Sequence, residues 1–465
     1  MRNVYPSAAG FTPIGAPIAT TNALSSACLG ATTIVRKDGL LISFAGNASK
    51  LYRLTAATWN DVSRVTGGAY NVAAGDRWKF STWGDLGIAT NYGDVVQKFD
   101  LVSGTNWTAL LGSPPNARYV DIVRDQIWLG ALPGYERRVH WSGVGLPEFW
   151  TPGTNNCDYQ DAFSGGPIKG IIGGAQAYVF QQQRVARATF TPGSSTVYQF
   201  DELQGGRGLA APHSLCRTGD VAYYLSTDGF YKLDITSGST VPIGNNKWRQ
   251  YFLNDLRAGT QLSVLGAADP LNPIVLWSYI SRDNSGQTPD RMVLYNWVLD
   301  EATIADINVE ALASWLTGGV TLDTMNSYGD LDHLPYSLDS PFWQGGSSVL
   351  GVFGTDHKLA YLQGQALAAM FETSDGMSGT RMFVNGTEPL VDTAAATVAV
   401  SMRERDGDAT GGAVVYGTFE GMEDTGIVPA HVSGNLARAK IIIPAAASWT
   451  LMKGIQTKAR ARGRR

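Results

Sequence analysis

Charge is what this chain has least of. Only 16% of its 465 residues are Asp, Glu, Lys or Arg, against a usual ~25%. Cysteine is also scarce. Cys28, Cys157 and Cys216 lie far apart with no CxxC pair, which excludes a disulfide framework and a thiolate zinc site. They read as buried thiols of a protein folded in a reducing cytosol. No run reaches the ~18 consecutive apolar residues of a membrane-spanning helix. The opening MRNVYPSAAGFTPIGAP has no continuous apolar stretch of signal-peptide length. The apolar fraction of 44% excludes bulk disorder.

Glycine and aromatic residues are plentiful. There are 54 glycines, and aromatics make up 10% of the chain, with 13 tryptophans. The length exceeds the ~250–300 residues at which one ordinary core stops growing, so two domains or one repetitive architecture are expected. The net charge of −4 hides an asymmetry. No acid follows Asp424, whereas Arg438, Lys440, Lys453, Lys458, Arg460, Arg462, Arg464 and Arg465 follow it. The rest of the chain is therefore an acidic body carrying 28 cations against 40 acids, which argues against a nucleic-acid-gripping surface. The terminal KARARGRR is a basic run that either meets phosphate or an acidic partner, or is a disordered solubilising end.

Short β-rich runs recur, each bounded by Gly, Asn or Asp turns. They begin at Asp38 (DGLLISFAGNASKLYRL), Asp76, Asn116, Ile168, His213 and Leu262, the last continuing through MVLYNWVLD at Met292. Six units at a spacing of about 40–50 residues, each with three or four strands, have the size of β-propeller blades. A single blade cannot bury both of its faces, whereas a ring of blades buries each against its neighbours. The alternative is a large β-sandwich stack.

Two interruptions read as helices packed against the ring. One is NNKWRQYFLNDL, with Trp248, Tyr251, Phe252 and Asp255 at i, i+3, i+4 and i+7 and Asn245 or Asn246 as cap. The other is NVEALASWLTGG, with Val309, Leu312, Ala313 and Leu316 as a stripe and Gly318 and Gly319 as its stop. Residues 320–346 form a turn-rich connector. The run from Ser348 is either a seventh blade or the completion of an earlier one. Beyond Gly376, Val398–Met402, Val414–Phe419 and Lys440–Ile443 read as strands of a small additional C-terminal sheet. The expected organisation is therefore all-β: an N-terminal arm (1–24), irregular propeller blades, about six, over 25–312, connector and final propeller strands (313–375), a C-terminal β region (376–452) and a basic tail (453–465). The segment Val4–Ile18 is a candidate closing strand for the ring.

Catalytic constellations are not apparent. SRDNSGQT at Ser281 resembles the Asp-box of sialidase-type propellers, but Asp283 and Gly286 sit one residue too far apart and no second copy exists. Asp406 and Asp408 begin an EF-like loop whose twelfth position is Gly417 instead of a bidentate Glu, so a plain turn is expected. Asp330, Asp332 and His333 read as a capped turn in preference to a metal site. The five histidines, His140, His213, His333, His357 and His431, show no HExxH or HxH spacing. GGRG at Gly205 and IIGG at Ile171 lack a Walker lysine and a GxGxxG pattern, and GxSxG is absent. No catalytic, cofactor-binding or metal-ligating residues are expected, and the chain does not read as an enzyme.

A set of strings taken in order is more specific. VHWSGVGLPEFWTPG from Val139, DYQD at Asp158, YVFQ at Tyr178, QFDELQGGRGLAAPHSL at Gln199, YYLSTDGFYKLD at Tyr223, DPLNPIVLWSY at Asp269 and DLDHLPYSLDSPFWQGG at Asp330 together resemble a family of short-tailed bacteriophage tail hub or nozzle proteins, also called packaged-DNA stabilisation proteins. The resemblance spans roughly residues 4–450, and none of its strings is a catalytic signature. It implies an irregular propeller with added domains, forming a homohexameric ring below the head-to-tail adaptor. That ring continues the DNA channel, retains the packaged genome and passes it during ejection. The implied partners are the adaptor ring, tail fibre, tailspike or needle proteins, and double-stranded DNA passing without sequence-specific binding. The implied location is the virion tail, assembled in the host bacterial cytoplasm. On this reading the low-charge, aromatic-rich surface serves permanent interfaces. The basic residues Lys453, Lys458, Arg460, Arg462, Arg464 and Arg465 are the candidate partner or DNA contacts. The alternatives are a glycan- or protein-binding propeller at a tail tip and, with less support, a hydrolytic propeller.

Overall fold

The computed structural model describes residues 1–194, 196–203, 207–244, 248–269, 271–316, 348–404 and 414–461. Seven of its sheets are four-stranded, so the fold is a seven-bladed β-propeller where about six blades were expected. Blades 1 to 6 follow one another in sequence. Blade 1 is Gly30–Val35, Leu41–Gly46, Leu51–Thr55 and Thr58–Asp61, and blade 6 is Leu265–Asp269, Ile274–Tyr279, Arg291–Asn296 and Glu301–Asp306. Blade 7 is assembled from distant segments in the order Ala311–Leu316, Ser348–Phe353, Leu359–Ala366 and Gly15–Ala19. The expected closing strand from the N-terminal segment is thus present as Gly15–Ala19.

Of the two readings of the run from Ser348, the seventh blade is the one present, and its first strand differs from expectation for a physical reason. Ala311–Leu316 was expected to be helical, and it is a strand paired with Ser348–Phe353 in full register. Its six residues satisfy both periods. The structure uses the period of two, burying Ala311, Ala313 and Trp315 and turning Leu312, Ser314 and Leu316 the other way. Gly318, Gly319 and the connector 320–346 lie outside the described residues, as do Asn245 and Asn246. The other expected helix exists as Arg249–Asp255. Phe252 is its buried residue, packed 4.7 Å from the Phe230 ring and 4.9 Å from Tyr279. Tyr251, expected on the same face, is 44% exposed.

The second strand of each blade is buried on both faces, because neighbouring blades cover it from either side. Gln126–Leu132, Ala177–Gln181 and Ile274–Tyr279 are buried at every position, so they read as continuous runs without polar alternation. The turns between them use the chemistry that their geometry requires. Leu132 pairs with Tyr135 across Pro133-Gly134, with Gly134 at φ 77°, which is the proline-then-glycine order of a type II turn.

Aromatic side chains fill the space between blades. Trp128 stacks 5.0 Å from Trp141 in blade 3 and meets Tyr198 of blade 4 edge-on at 4.7 Å. Phe44 of blade 1 packs 4.9 Å from Phe99 and 5.1 Å from Trp107 of blade 2. Trp59 and Trp315, 6.1 Å apart, join blade 1 to blade 7. Tryptophan is the aromatic kept inside: among the described residues no tryptophan is a large exposed hydrophobic, and Trp107, Trp128, Trp141, Trp277 and Trp315 are fully buried, whereas Tyr135, Tyr159, Phe163, Tyr251 and Phe419 are exposed.

By density of contacts the chain divides into two compact units, one of Met1–Pro17, Val293–Asp306 and Leu362–Arg465 and one of Ile18–Met292 and Ile307–Tyr361. The first contains an eight-stranded sheet. Its long central strands, Gly376–Val391 and Val428–Ile443, are flanked by Thr397–Arg403, Ala369–Glu372 and Met452–Ala461, and the N-terminal hairpin Val4–Ser7 with Gly10–Pro13 joins at one side. Phe371, Ile441, Ile443, Trp449 and Met452 form its core. The expected additional C-terminal sheet is therefore present, with two differences. Val414–Phe419 is not a strand, the short strand there being Glu420–Gly421. The segment expected as a separate basic tail from 453 is, through Ala461, a strand paired with Gly376–Val391.

Trp128 gives the inter-blade packing a direct test. Trp128→Ala should lower stability by about 3–5 kcal/mol, as for other buried tryptophan truncations, in urea unfolding of the purified chain. A loss below about 1 kcal/mol would mean that this interface is not close-packed.

Candidate functional site

The first strands of the blades surround the ring's axis, and glycine lets their backbones approach there. A Cβ on Gly266 would lie 2.3 Å from the Ser214 carbonyl oxygen, and one on Gly173 would lie 2.0 Å from that of Ile122. Asp121 ties three blades at this level. It accepts hydrogen bonds from Gly173 N at 2.8 Å, Ile122 N at 2.8 Å and Ser81 Oγ at 3.3 Å. Burial pushes its carboxyl above the usual carboxylate range, and these bonds work in the opposite sense.

A cavity of about 210 Å³ lies on the axis, walled by the inner strands of blades 1, 2, 6 and 7 and by the turn leading into blade 5. Its titratable lining groups are Arg77, Lys79 and His213. In the run Arg77-Trp78-Lys79-Phe80 the two cations lie either side of buried Trp78, whose backbone N–H bonds the Leu29 carbonyl at 2.9 Å. The Arg77 guanidinium donates to the Glu310 carbonyl at 2.9 Å. Among the described residues neither Arg77 nor Lys79 has an ion pair, and the Lys79 ammonium has no hydrogen bond. Burial, reinforced by the neighbouring Arg77, lowers Lys79 to about 8.

His213 sits in the 3-10 turn Pro212–Ser214 and is 6% exposed. Its Nε2 lies 3.0 Å from the carbonyl oxygen of Gly75, 138 residues away in the loop before blade 2. A carbonyl only accepts, so Nε2 carries the proton. The Nδ1 atom is buried with no partner. Burial, then Lys79 and Arg77, push the imidazole well below its ordinary range, so the ring is neutral and Nδ1 presents a lone pair.

The nearby acids are occupied. Glu310 accepts from Cys28 N at 3.3 Å and from His357 Nδ1 at 2.9 Å. Asp76 and Glu136 hold Arg118 at 2.7 and 3.1 Å. Two unpaired cations and an orphaned imidazole nitrogen therefore share one protein-walled cavity. Sequence reading missed this set because its members lie in DRWKF and APHSL, far apart in the chain, and only ring closure brings them together. The two cations either side of the tryptophan in DRWKF, at the start of a blade, were its one local sign.

The expected contact residues lie elsewhere. Lys453, Lys458 and Arg460 are exposed on the strand Met452–Ala461. Lys458 pairs with Glu388 at 3.1 Å, and the Arg460 guanidinium covers the Phe383 ring at 5.1 Å. Arg462, Arg464 and Arg465 lie outside the described residues, as do Gly205, Asp330, Asp332, His333, Asp406 and Asp408. The Ser281 turn is closed by its own hydrogen bonds, with Ser281 Oγ donating to Asp290 at 2.7 Å and Asn284 Nδ2 donating to Asp290 at 2.9 Å. Cys28 and Cys157 are buried thiols, pushed up to about 12 and about 11 by burial, and Cys216 is half-buried. Burial lowers His140 to about 4. Among the described residues no three His, Cys, Asp or Glu side chains cluster as a metal site, and no helix is long and apolar enough to cross a membrane.

No family model and no curated protein matches the chain. Solved structures of low identity do. They include the computationally designed Ika8 protein, at 9% identity over 75% of this chain and 99% of that one with a TM-score of 0.40. The extracellular domain of the putative one-component system BT4673 from B. thetaiotaomicron matches at 10% identity, over 85% of this chain and 47% of that one, with a TM-score of 0.42. BamB from Moraxella catarrhalis matches at 13% identity, over 77% and 95%, with a TM-score of 0.38. The propeller assignment rests on the strand orders given above, and these similarities assign no activity.

The unpaired Lys79 has a measurable consequence. Its folded value is lowered to about 8 from 10.5, so between those values the unfolded chain binds more protons, and stability rises with pH. Lys79→Met should remove that rise and be at least as stable as the parent at pH 7 in urea unfolding. A stability profile unchanged by Lys79→Met between pH 8 and 10.5 would show that the ammonium is solvated as in water.

Proposed function

We propose that this chain is a structural tail hub or nozzle subunit of a short-tailed phage, forming a ring that continues the DNA channel below the head-to-tail adaptor. The observation that carries the reading is where the resembling strings lie. YVFQ at Tyr178 falls in the second strand of blade 4, buried throughout. YYLSTDGFYKLD spans the second and third strands of blade 5. VHWSGVGLPEFWTPG supplies buried Trp141 and Trp150, and DPLNPIVLWSY supplies buried Ile274–Tyr279 of blade 6. The likeness is thus carried by scaffold, which suits a protein whose function is to be a wall. It has no catalytic step in this role.

The DNA channel of such a ring runs between protomers. His213 bonds across each propeller's own axis, and the cavity there is far too small for a duplex. The acidic body suits a lumen through which DNA slides, because phosphate neutralisation would retard it. The exposed basic strand Met452–Ala461, with Lys453, Lys458 and Arg460, is a contact surface for an acidic neighbour or DNA. The adaptor ring and the fibre, spike or needle proteins are the partners in this reading.

Native mass spectrometry of the purified chain, alone and with the adaptor protein of the same phage, tests the reading. A six-copy species is expected in at least one of the two samples. A strict monomer in both would overturn it.

A further inference from the structure

We propose that the axial cavity binds a small, singly protonated oxyanion, inorganic phosphate being the simplest, with Arg77 and Lys79 facing its charge and His213 Nδ1 accepting its hydroxyl in a hydrogen bond. The inference does not rest on the nozzle reading. It rests on a mismatch in the cavity, whose walls hold two cations without ion pairs among the described residues and a buried imidazole nitrogen without a partner.

Charges walled in by protein are costly unless paired, and removing one member of a pair leaves that cost uncompensated. The neighbouring acids make no ion pair with either cation among the described residues, although the Glu310 carboxylate attracts Arg77 from a distance. Asp76 and Glu136 are committed to Arg118, and Glu310 to His357 and Cys28 N. Asp121 is held by two backbone N–H groups and Ser81. An oxyanion between Arg77 and Lys79 would accept charge-assisted hydrogen bonds from both, and the guanidinium fork suits two oxygens of a tetrahedral ion.

The identity of the ion follows from His213. Its Nε2 proton is committed to the Gly75 carbonyl, so Nδ1 asks for a donor. Phosphate keeps a hydroxyl near neutral pH and can donate to it. Sulfate has no proton there, and would set an oxygen lone pair against the nitrogen lone pair unless the ring took a proton. Burial and the two adjacent cations oppose that protonation. The cavity therefore selects phosphate over sulfate, by the penalty that an unpaired buried polar atom imposes on the wrong ligand.

Isothermal titration at pH 7 and constant ionic strength, with sodium phosphate and then sodium sulfate, tests this on the full chain and on Lys79→Met. One saturable phosphate site per chain is expected. Lys79→Met should weaken it at least about tenfold, the worth of one charge-assisted hydrogen bond, and sulfate should bind the parent more weakly than phosphate. Absence of saturable phosphate binding, or equal binding by Lys79→Met, overturns the proposal. Equal affinity for the two ions overturns the role given to His213. Should Lys79→Met fail to fold, the His213 ring resonances of the parent decide: a saturable shift with phosphate supports the site, and no shift overturns it.

Discussion

The ring depends on covering both faces of each blade's second strand. A four-stranded meander with Gln126–Leu132 or Ile274–Tyr279 at its centre has two apolar faces and cannot stand in water by itself. Each blade therefore needs a neighbour on either side, and the requirement propagates until the last blade meets the first. Trp59 against Trp315 is where it is met. The indole bodies fill the wedge between blades, and several of their N–H groups find carbonyls at its margin. Trp277 Nε1 donates to the Ser214 carbonyl, Trp141 Nε1 to that of Asn156 and Trp78 Nε1 to that of Asn47. Tryptophan serves here both as bulk and as a strap to a neighbouring loop.

Closing a ring of seven leaves a gap along the axis, and the gap sets the electrostatics of its lining. Side chains on the inner strands enter a space that is walled by protein yet too large to be filled by them. Arg77 and Lys79 are half-buried there and, among the described residues, form no ion pair. The same crowding holds His213 neutral and Asp121 protonated over a wider range than usual. Perturbation of this kind is a property of place before it is a property of residue type.

Much of the architecture is legible in the sequence because blade turns and blade spacing are local. The runs from Asp38, Asp76, Asn116, Ile168, His213 and Leu262 each correspond to one blade, and the helix around Phe252 is visible from its period. The seventh blade is hidden because its strands are not consecutive. Its first strand, ALASWL, fits a helical stripe as well as a pleat, and its outer strand stands near the N-terminus. The Met452–Ala461 strand is hidden for another reason. Its lysines and arginines give it the composition of a solvated tail, while its pairing is set by Gly376–Val391, some seventy residues earlier. The axial set of Arg77, Lys79 and His213 has no spacing to read, since proximity there is created only by closure.

Closure also has an order in time. Thr20, beside the strand that completes blade 7, donates its N–H to Leu359 across a separation of 339 residues. At a synthesis rate of roughly 5–20 residues per second, Gly15–Ala19 leaves the ribosome about 15–70 s before its partner strand exists. During that interval it is an unpaired strand beside a growing stack of β-meanders, the situation in which wrong edges find one another. Its sequence is GAPIA, nearly featureless in hydrophobicity, with Pro17 lacking the N–H that a foreign ladder would use. A segment that must wait so long for its place is built to attract little on the way.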